Sequence, residues 1–283
     1  TPRIDLADHE KVRVTSLAAL WIGQTQFQEG FLGGIWSGIT AEARERGLDL
    51  STHHVPMNLT DIPLRTFTPA KGQGVIVLGG VVGAFEFALL ANPTIPSVLV
   101  DGTTLGVECV ATDNHEGVRQ AVEHLAGLGH RRMAFYGGFN MPGNTTNENE
   151  RREAFERLCA DRGLETVLFE GAERRRMLAA LKSSKPPTAF LFSRDEPART
   201  FLADLKNGGV RVPQDVSVVS FDDYLADNEA CGLTAVRVDR ESMGRAAVKR
   251  LMEWHLEWPR PIRWTRIRPE LIVRGSTGQA QGG

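Results

Sequence analysis

Asp222 and Asp223 stand at the end of one apolar run, Val216–Phe221, and Ser193-Arg194-Asp195-Glu196 follows another, Ala189–Phe192. A carboxylate in such a place accepts paired hydrogen bonds from hydroxyls or amines. A guanidinium answers with directional donors for hydroxyls, carboxylates or phosphates. Arg151, which opens a helical segment after a long polar loop, and Arg194 supply that group, and Asp101 ends a third apolar run, Ser97–Val100. The chemistry implied is a grip on a small polar molecule, with little sign of turnover. Each residue also has a plainer use. Asp222 fits a helix N-cap or a hinge contact, Asp223 and Asp195 fit helix caps, Asp101 fits a turn, and Arg151 fits a solvated helix face. Arg194 has three uses open to it: holding an anionic guest, pairing with Asp222, or filling the site.

Other chemistries find no support. There is no G-x-x-x-x-G-K-[ST] and no G-x-S-x-G. Gly79-Gly80-Val81-Val82-Gly83 follows a strand without completing a dinucleotide fingerprint, and reads as a tight turn. His53-His54, His124 and His130 lack carboxylates at metal-binding spacing. No cofactor and no metal are expected, and the chain is read as a non-enzyme.

The elements that must position these residues alternate between strand and helix, the pattern of a mainly parallel α/β sheet with crossover helices. In such sheets ligands sit at the carboxyl ends of the strands. Strands are expected at Val12–Ile22, Leu48–Val55, Gly74–Leu78, Ser97–Val100, Met133–Gly137, Glu165–Phe169, Ala189–Phe192, Val216–Phe221, Ala235–Val238, Ile262–Ile267 and Glu270–Val273. Phe31, Leu32, Ile35, Ile39 and Ala43 form one helical stripe. Asp113 with Glu116 makes a capping-box spacing before the helix His115–Leu128, which Gly129 ends. Further helices are expected at Ala84–Ala91, Arg151–Arg162, Arg174–Lys182, around Ala198–Leu205, and from Arg240 to Glu257. The long polar stretch Gly138–Glu148 is expected to be a functional loop.

The 283 residues suffice for two lobes. A net charge of −2 argues against this segment itself lying on nucleic acid or anionic lipid. Cys109, Cys159 and Cys231 are odd in number and widely spaced, which reads as reduced thiols in a cytoplasmic protein. No apolar run reaches membrane-spanning length.

Val110-Ala111-Thr112-Asp113-Asn114-x-x-Gly117 and His124-Leu125-x-x-Leu128-Gly129-His130-Arg131-Arg132 resemble the LacI/GalR family of transcriptional regulators. So do Arg151-x-x-Ala154-Phe155, Leu233-Thr234-Ala235-Val236-Arg237, the runs Pro187–Glu196 and Val210–Asp223, and Pro269-Glu270-Leu271-Ile272-Val273-Arg274-Gly275-Ser276. The resemblance spans about Val12 to Thr277. It implies two Rossmann-like lobes of periplasmic-binding-protein type, crossed three times near 111–114, 238–240 and 258–262. Residues 12–112 with 239–259 would form the N-terminal lobe and 113–238 with 260–277 the C-terminal one, with 1–11 a linker remnant and 278–283 a disordered tail. A small polar effector, a sugar or sugar derivative, would bind between the lobes and shift their relative orientation. Operator DNA would be read as a dimer by a helix-turn-helix absent from this chain. Dimerisation would use the helices Phe31–Arg46 and Pro197–Asn207. The alternative is an exported solute-binding protein of the same bilobal fold.

The resemblance also ranks the site residues. It favours Arg151 over Arg152, gives Asp222 and the adjoining Phe221 to the ligand, and adds Thr145 and Asn147, positions that touch ligand in some relatives. Gln24, Gln26 and Phe27 follow the first strand where the family carries a different pattern; Phe27, or Trp21 in a shifted register, is an apolar platform or core packing. Two departures stand out. Arg194 replaces a small residue or Asn, and Glu170-Gly171-Ala172-Glu173 is short and lacks the aromatic that relatives carry in a longer loop.

Overall fold

The computed structural model describes residues 13–22, 30–55, 67–79, 90, 92, 94–137, 146–171, 173–254 and 262–281. The chain divides into two compact units: Thr1–Ala111 with Arg240–Arg266, and Thr112–Asp239 with Ile267–Gly283.

Unit 1 carries a six-stranded sheet. Its strands are β1 (Ser16–Ile22), β2 (Asp49–Val55), β3 (Gln73–Leu78), β4 (Ser97–Val100), β5 (Cys109–Thr112) and β11 (Trp264–Ile267), in the order β11-β5-β4-β3-β1-β2. The pairs β1–β2, β1–β3, β3–β4 and β4–β5 are parallel. β4 and β5 are buried along their whole length, as strands covered on both faces must be. Helix α1 (Gly30–Glu45) buries Leu32, Ile35, Ile39 and Ala43 at helical spacing. Against it lies α7 (Arg240–Met252), with Met243, Ala247, Val248 and Leu251 buried. Their backbones nearly touch: a Cβ on Gly38 would fall 2.0 Å from Glu241 O, and one on Gly244 2.0 Å from Ile35 O. Only glycine permits that approach.

Unit 2 repeats the plan. Its strands are β6 (Arg132–Gly137), β7 (Glu165–Glu170), β8 (Ala189–Phe192), β9 (Ser217–Asp222), β10 (Thr234–Arg237) and β12 (Glu270–Ile272), ordered β12-β10-β9-β8-β6-β7. All described pairings are parallel except that of β12, which closes the edge antiparallel to β10. The helices are α2 (Asn114–Gly127), α3 (Thr146–Asp161), α4 (Arg174–Ala180), α5 (Asp195–Asn207) and the short α6 (Asp227–Ala230). Phe169, Phe190, Phe192 and Phe201 stack into one core with Met177 and Leu205.

Four expectations need correction. Residues 260–266 belong to unit 1, because β11 extends that unit's sheet beside β5 and Cys109 N donates to Arg263 O at 3.3 Å; the third crossing follows Arg266. The helix expected from Arg151 begins at Thr146, with Glu148 in its first turn, where a carboxylate favours the helix N-terminus. The segment 278–281 is no disordered tail. Gly278 O accepts from the His130 ring at 3.1 Å, Gly278 N donates to Ser217 Oγ, and Ala280 N donates to Leu128 O. Finally, only half of the capping box forms. Glu116 N donates to Asp113 Oδ1 at 3.0 Å, but Asp113 N donates to Ile267 O, and the Glu116 carboxylate turns to Arg119, Gln120 and Arg268. Of the helix expected at Ala84–Ala91, all but Leu90 lies outside the described residues, as do the linker 1–11 and residues 138–145 of the expected loop.

Candidate functional site

In unit 2 the strand order reverses at β6, with β7 on one side and β8 on the other. Carboxyl ends flanking such a reversal are where open α/β sheets hold ligands. The chain fills that place with polar groups. Arg151 is on the second turn of α3 and is 2 % exposed, and Asp222 ends β9 at 6 %. Arg151 Nη1 lies 2.9 Å from Asp222 Oδ1 and donates to Ser193 O at 2.6 Å, while Nε donates to Asn114 Oδ1 at 2.8 Å. The guanidinium lies 3.8 Å above the Phe221 ring, a cation–π seat. Asn114, at the start of α2, donates through Nδ2 to Asn147 Oδ1 at 2.9 Å and to Glu150 Oε2 at 2.8 Å.

Phe221 owes its position to a glycine. A Cβ on Gly117 would fall 2.5 Å from Phe221 Cζ, so α2 can lie on this ring only where it carries no side chain.

Asp222 is paired in charge without being saturated. Its Oδ1 accepts no well-directed hydrogen bond, although Nη1 of Arg151, which donates to the Ser193 carbonyl, lies 2.9 Å away. Burial pushes the Asp222 carboxyl up to about 6; the charge of Arg151 pulls it down and those of Asp195 and Glu196 push it back up. The backbone is strained at the same point, with φ of 95° at Asp222 and 51° at Asp223. Such positions cost about 1–3 kcal/mol each and cluster at ligand clamps.

Neighbours hold that strain in place. Asp195, fully buried, accepts from Ser220 Oγ at 2.6 Å and from Tyr224 N at 2.9 Å, and burial raises its carboxyl. Asp223 is clamped by Arg274 and Arg237 at 2.9–3.0 Å. Neither caps a helix. Arg194 takes the N-cap position of α5 without a side-chain cap bond, and Asp195 instead ties α5 to the turn after β9.

Arg194 pairs with Glu148, Nε to Oε1 at 3.0 Å, and not with Asp222. Asn147 joins the cluster through Asn114. Asp101 sits in unit 1 after β4, with φ of 65° and its amide on Val110 O. Trp21 is core, 5.4 Å edge-on from Trp36. Gln24, Gln26, Phe27 and Thr145 lie outside the described residues. The sequence reading missed Asn114, Glu148, Ser193 and the anchoring role of Asp195. Glu148 precedes Arg151 by three residues, one helical turn, and an earlier helix start would have put both on one face.

A cavity of about 1120 Å³ lies elsewhere on unit 2, lined by Leu202, Ala203, Val210, Val212 and Leu225 among others; none of Asp222, Arg151, Asn114 and Asn147 lines it. Among the described residues no group of histidines, cysteines and carboxylates is placed to hold a metal, and no helix is long and apolar enough to cross a membrane. Cys109 and Cys159 are buried, and Cys231 is exposed.

Residues 122–277 match the profile of the periplasmic binding protein-like domain. The chain belongs to that family. It is a LacI-family effector-binding domain, as its relatives show. Among them is the HTH-type transcriptional regulator MalR of Streptomyces coelicolor, 33 % identical over 202 residues, covering 66 % of this chain and 58 % of the relative. The arabinose metabolism transcriptional repressor of Geobacillus stearothermophilus is 32 % identical over 202 residues, covering 66 % and 55 %. The LacI-family domain thus spans less than two thirds of the length of either. Among solved structures, a LacI transcriptional regulator from a Rhodococcus species has a TM-score of 0.77 at 26 % identity, covering 93 % of this chain and 99 % of that one. The CcpA regulator of Weissella paramesenteroides, solved with bound glucose, has a TM-score of 0.75 at 18 % identity, covering 94 % and 100 %, a likeness of fold alone.

Proposed function

We propose that this LacI-family domain senses a sugar or sugar derivative for a DNA-binding transcription regulator. The guest is held at the carboxyl edge of the unit 2 sheet and left chemically intact. Arg151 supplies donors, Asp222 accepts from hydroxyls, and Asn114, held by Asn147, orients Arg151. The observation that carries this reading is the buried Arg151–Asp222 pair at 2.9 Å, at the carboxyl edge of the sheet, with both Asp222 and the adjoining Asp223 in left-handed backbone. Support comes also from the arabinose-metabolism repressor among the relatives and the glucose bound to the Weissella regulator. Binding would favour one arrangement of the two units over others and reach DNA as a population shift. The protein would act in the cytoplasm as a homodimer, with α1 and α5 the helices to test by sedimentation of interface variants.

A thermal-shift screen against neutral pentoses, hexoses and disaccharides tests the reading. A ligand at a hundred times its Kd stabilises by about 2.7 kcal/mol. Asp222→Asn and Arg151→Ala should each erase the response to any sugar that stabilises the parent. A sugar that binds both variants as tightly as the parent overturns the assignment.

A further inference from the structure

The site has a further buried carboxylate besides Asp222 and Asp195, and its role follows from what it neutralises. Glu148 is 5 % exposed, on the first turn of α3, one turn before Arg151. Its partner Arg194 follows β8 at its carboxyl end, next to Ser193, whose carbonyl receives Arg151. The side chains differ sharply in exposure, 56 % for Arg194 and 7 % for Glu148. The arginine thus leans from solvent onto a fixed carboxylate.

The charges nearby can be taken in turn. Arg151 faces Asp222, and Arg194 faces Glu148. Glu150 reaches Asn114, while Asp195 and Glu196 both bear on Asp222. Arg274 and Arg237 are both held by Asp223. Four guanidiniums therefore stand among six carboxylates. A phosphate or carboxylate brought here would meet no cation without a partner already in place, and would add to the negative side. Hydroxyl groups carry no such penalty, because they both accept from Arg151 and donate to Asp222.

We propose that Glu148 is a specificity-determining residue: by neutralising Arg194 it restricts the site to uncharged polyhydroxyl guests and excludes sugar phosphates and sugar acids. The proposal rests on the effector-site reading above, and deepens it to a ligand class.

Glu148→Gln keeps the shape of the side chain and removes its charge, freeing Arg194 to bind an anion. The probe is inorganic phosphate, titrated against the whole chain and followed by ³¹P NMR line broadening, with the melting temperature of each variant as the folding check. Glu148→Gln should bind phosphate about tenfold more tightly than the parent, the factor that corresponds to one added charge contact of about 1.4 kcal/mol. Adding Arg194→Gln should return affinity to the parent level. Phosphate binding by the parent as tight as by Glu148→Gln, no gain in Glu148→Gln, or a gain that survives Arg194→Gln would each overturn the proposal. A Glu148→Gln chain that melts without cooperativity is replaced by Glu148→Ala with the same criteria. No sugar enters this experiment, so its failure is separate from failure of the sugar screen.

Discussion

Units 1 and 2 are built on one strand order and bury their charges in different places. Among the described residues of unit 1 the buried carboxylates are Glu42 and Glu108. Glu42 on α1 is held by Arg46 at 2.8 Å and by Arg245 of α7 at 3.2 Å. Glu108, at the amino end of β5, takes Arg250 of α7 at 3.0 Å. Each ties a helix to its neighbour. In unit 2 the buried ionic groups Arg151, Asp222, Glu148 and Asp195 gather at the carboxyl ends of β8 and β9 and on the helix that follows β6, beside left-handed backbone. The same scaffold thus uses buried charge for two ends. A pair that bridges helices holds the fold, whereas one at the carboxyl edge next to strained aspartates is a grip held ready.

The sharpest way to break this contrast is Arg151→Ala. It strands Asp222 in a buried position, and breaking a buried pair costs about 3–5 kcal/mol. Urea unfolding should show that loss at neutral pH and a smaller one in acid, where Asp222 takes up a proton. An equal loss at both would mean that the pair does not govern the edge. Next comes unit 1. Gly244→Ala puts a methyl 2.0 Å from Ile35 O, so α1 and α7 must separate. A loss of about 3 kcal/mol is expected, the upper part of the overpacking range, with the affinity for any confirmed sugar unchanged among the molecules still folded. Weakened sugar affinity would show that the helix seam of unit 1 and the grip of unit 2 are not independent.

Smaller, and specific to unit 2, is a pH effect. Asp222 has its carboxyl raised from 3.8 to about 6. Between those values the folded chain holds a proton that the unfolded chain has lost. Its contribution is therefore favourable near pH 4 and fades as pH rises through 6. Carboxylates held low, such as Glu116 and Asp215, both near 2, act in the opposite sense but below that window. The useful quantity is the parent's unfolding free energy minus that of Asp222→Asn. It should fall by roughly 2 kcal/mol from pH 4 to pH 7. A flat difference would mean that Asp222 titrates as an ordinary carboxyl.

Strand positions could be read from composition, because buried parallel strands are unbroken apolar runs such as Ala189–Phe192 and Ser217–Phe221. Arg151 and Asp222 could be read because motif and strand end coincide there. Partners were harder. Arg194 had three readings open to it, and its partner Glu148 was in none of them; finding it required the start of α3 to be known to within a turn. Asp195 looked like a cap because it opens a helix, yet its carboxylate faces Ser220 and Tyr224 across the sheet end. Long-range pairing of polar side chains leaves no periodic trace, whereas burial of apolar ones does. The fastening of Gly278 on His130 escaped for the same reason.

The smallest effect belongs to the opposite end of β6. There Arg132 reaches Glu165 of β7 at 2.7 Å, and Lys185 joins them. The Lys185 ammonium and the Arg132 guanidinium hold the Glu165 carboxyl below its ordinary range, with Lys185 the larger influence. These side chains are open to water, which screens them and leaves their mobility to be lost on pairing. Glu165→Gln should leave both the melting temperature and the sugar response where they were. The comparison with Asp222→Asn is then made within one sheet, a carboxylate neutralised at each end, and it isolates position. If Glu165→Gln moved the sugar response as Asp222→Asn does, the effect would follow the net charge of unit 2, and the carboxyl edge would hold no special claim on the ligand.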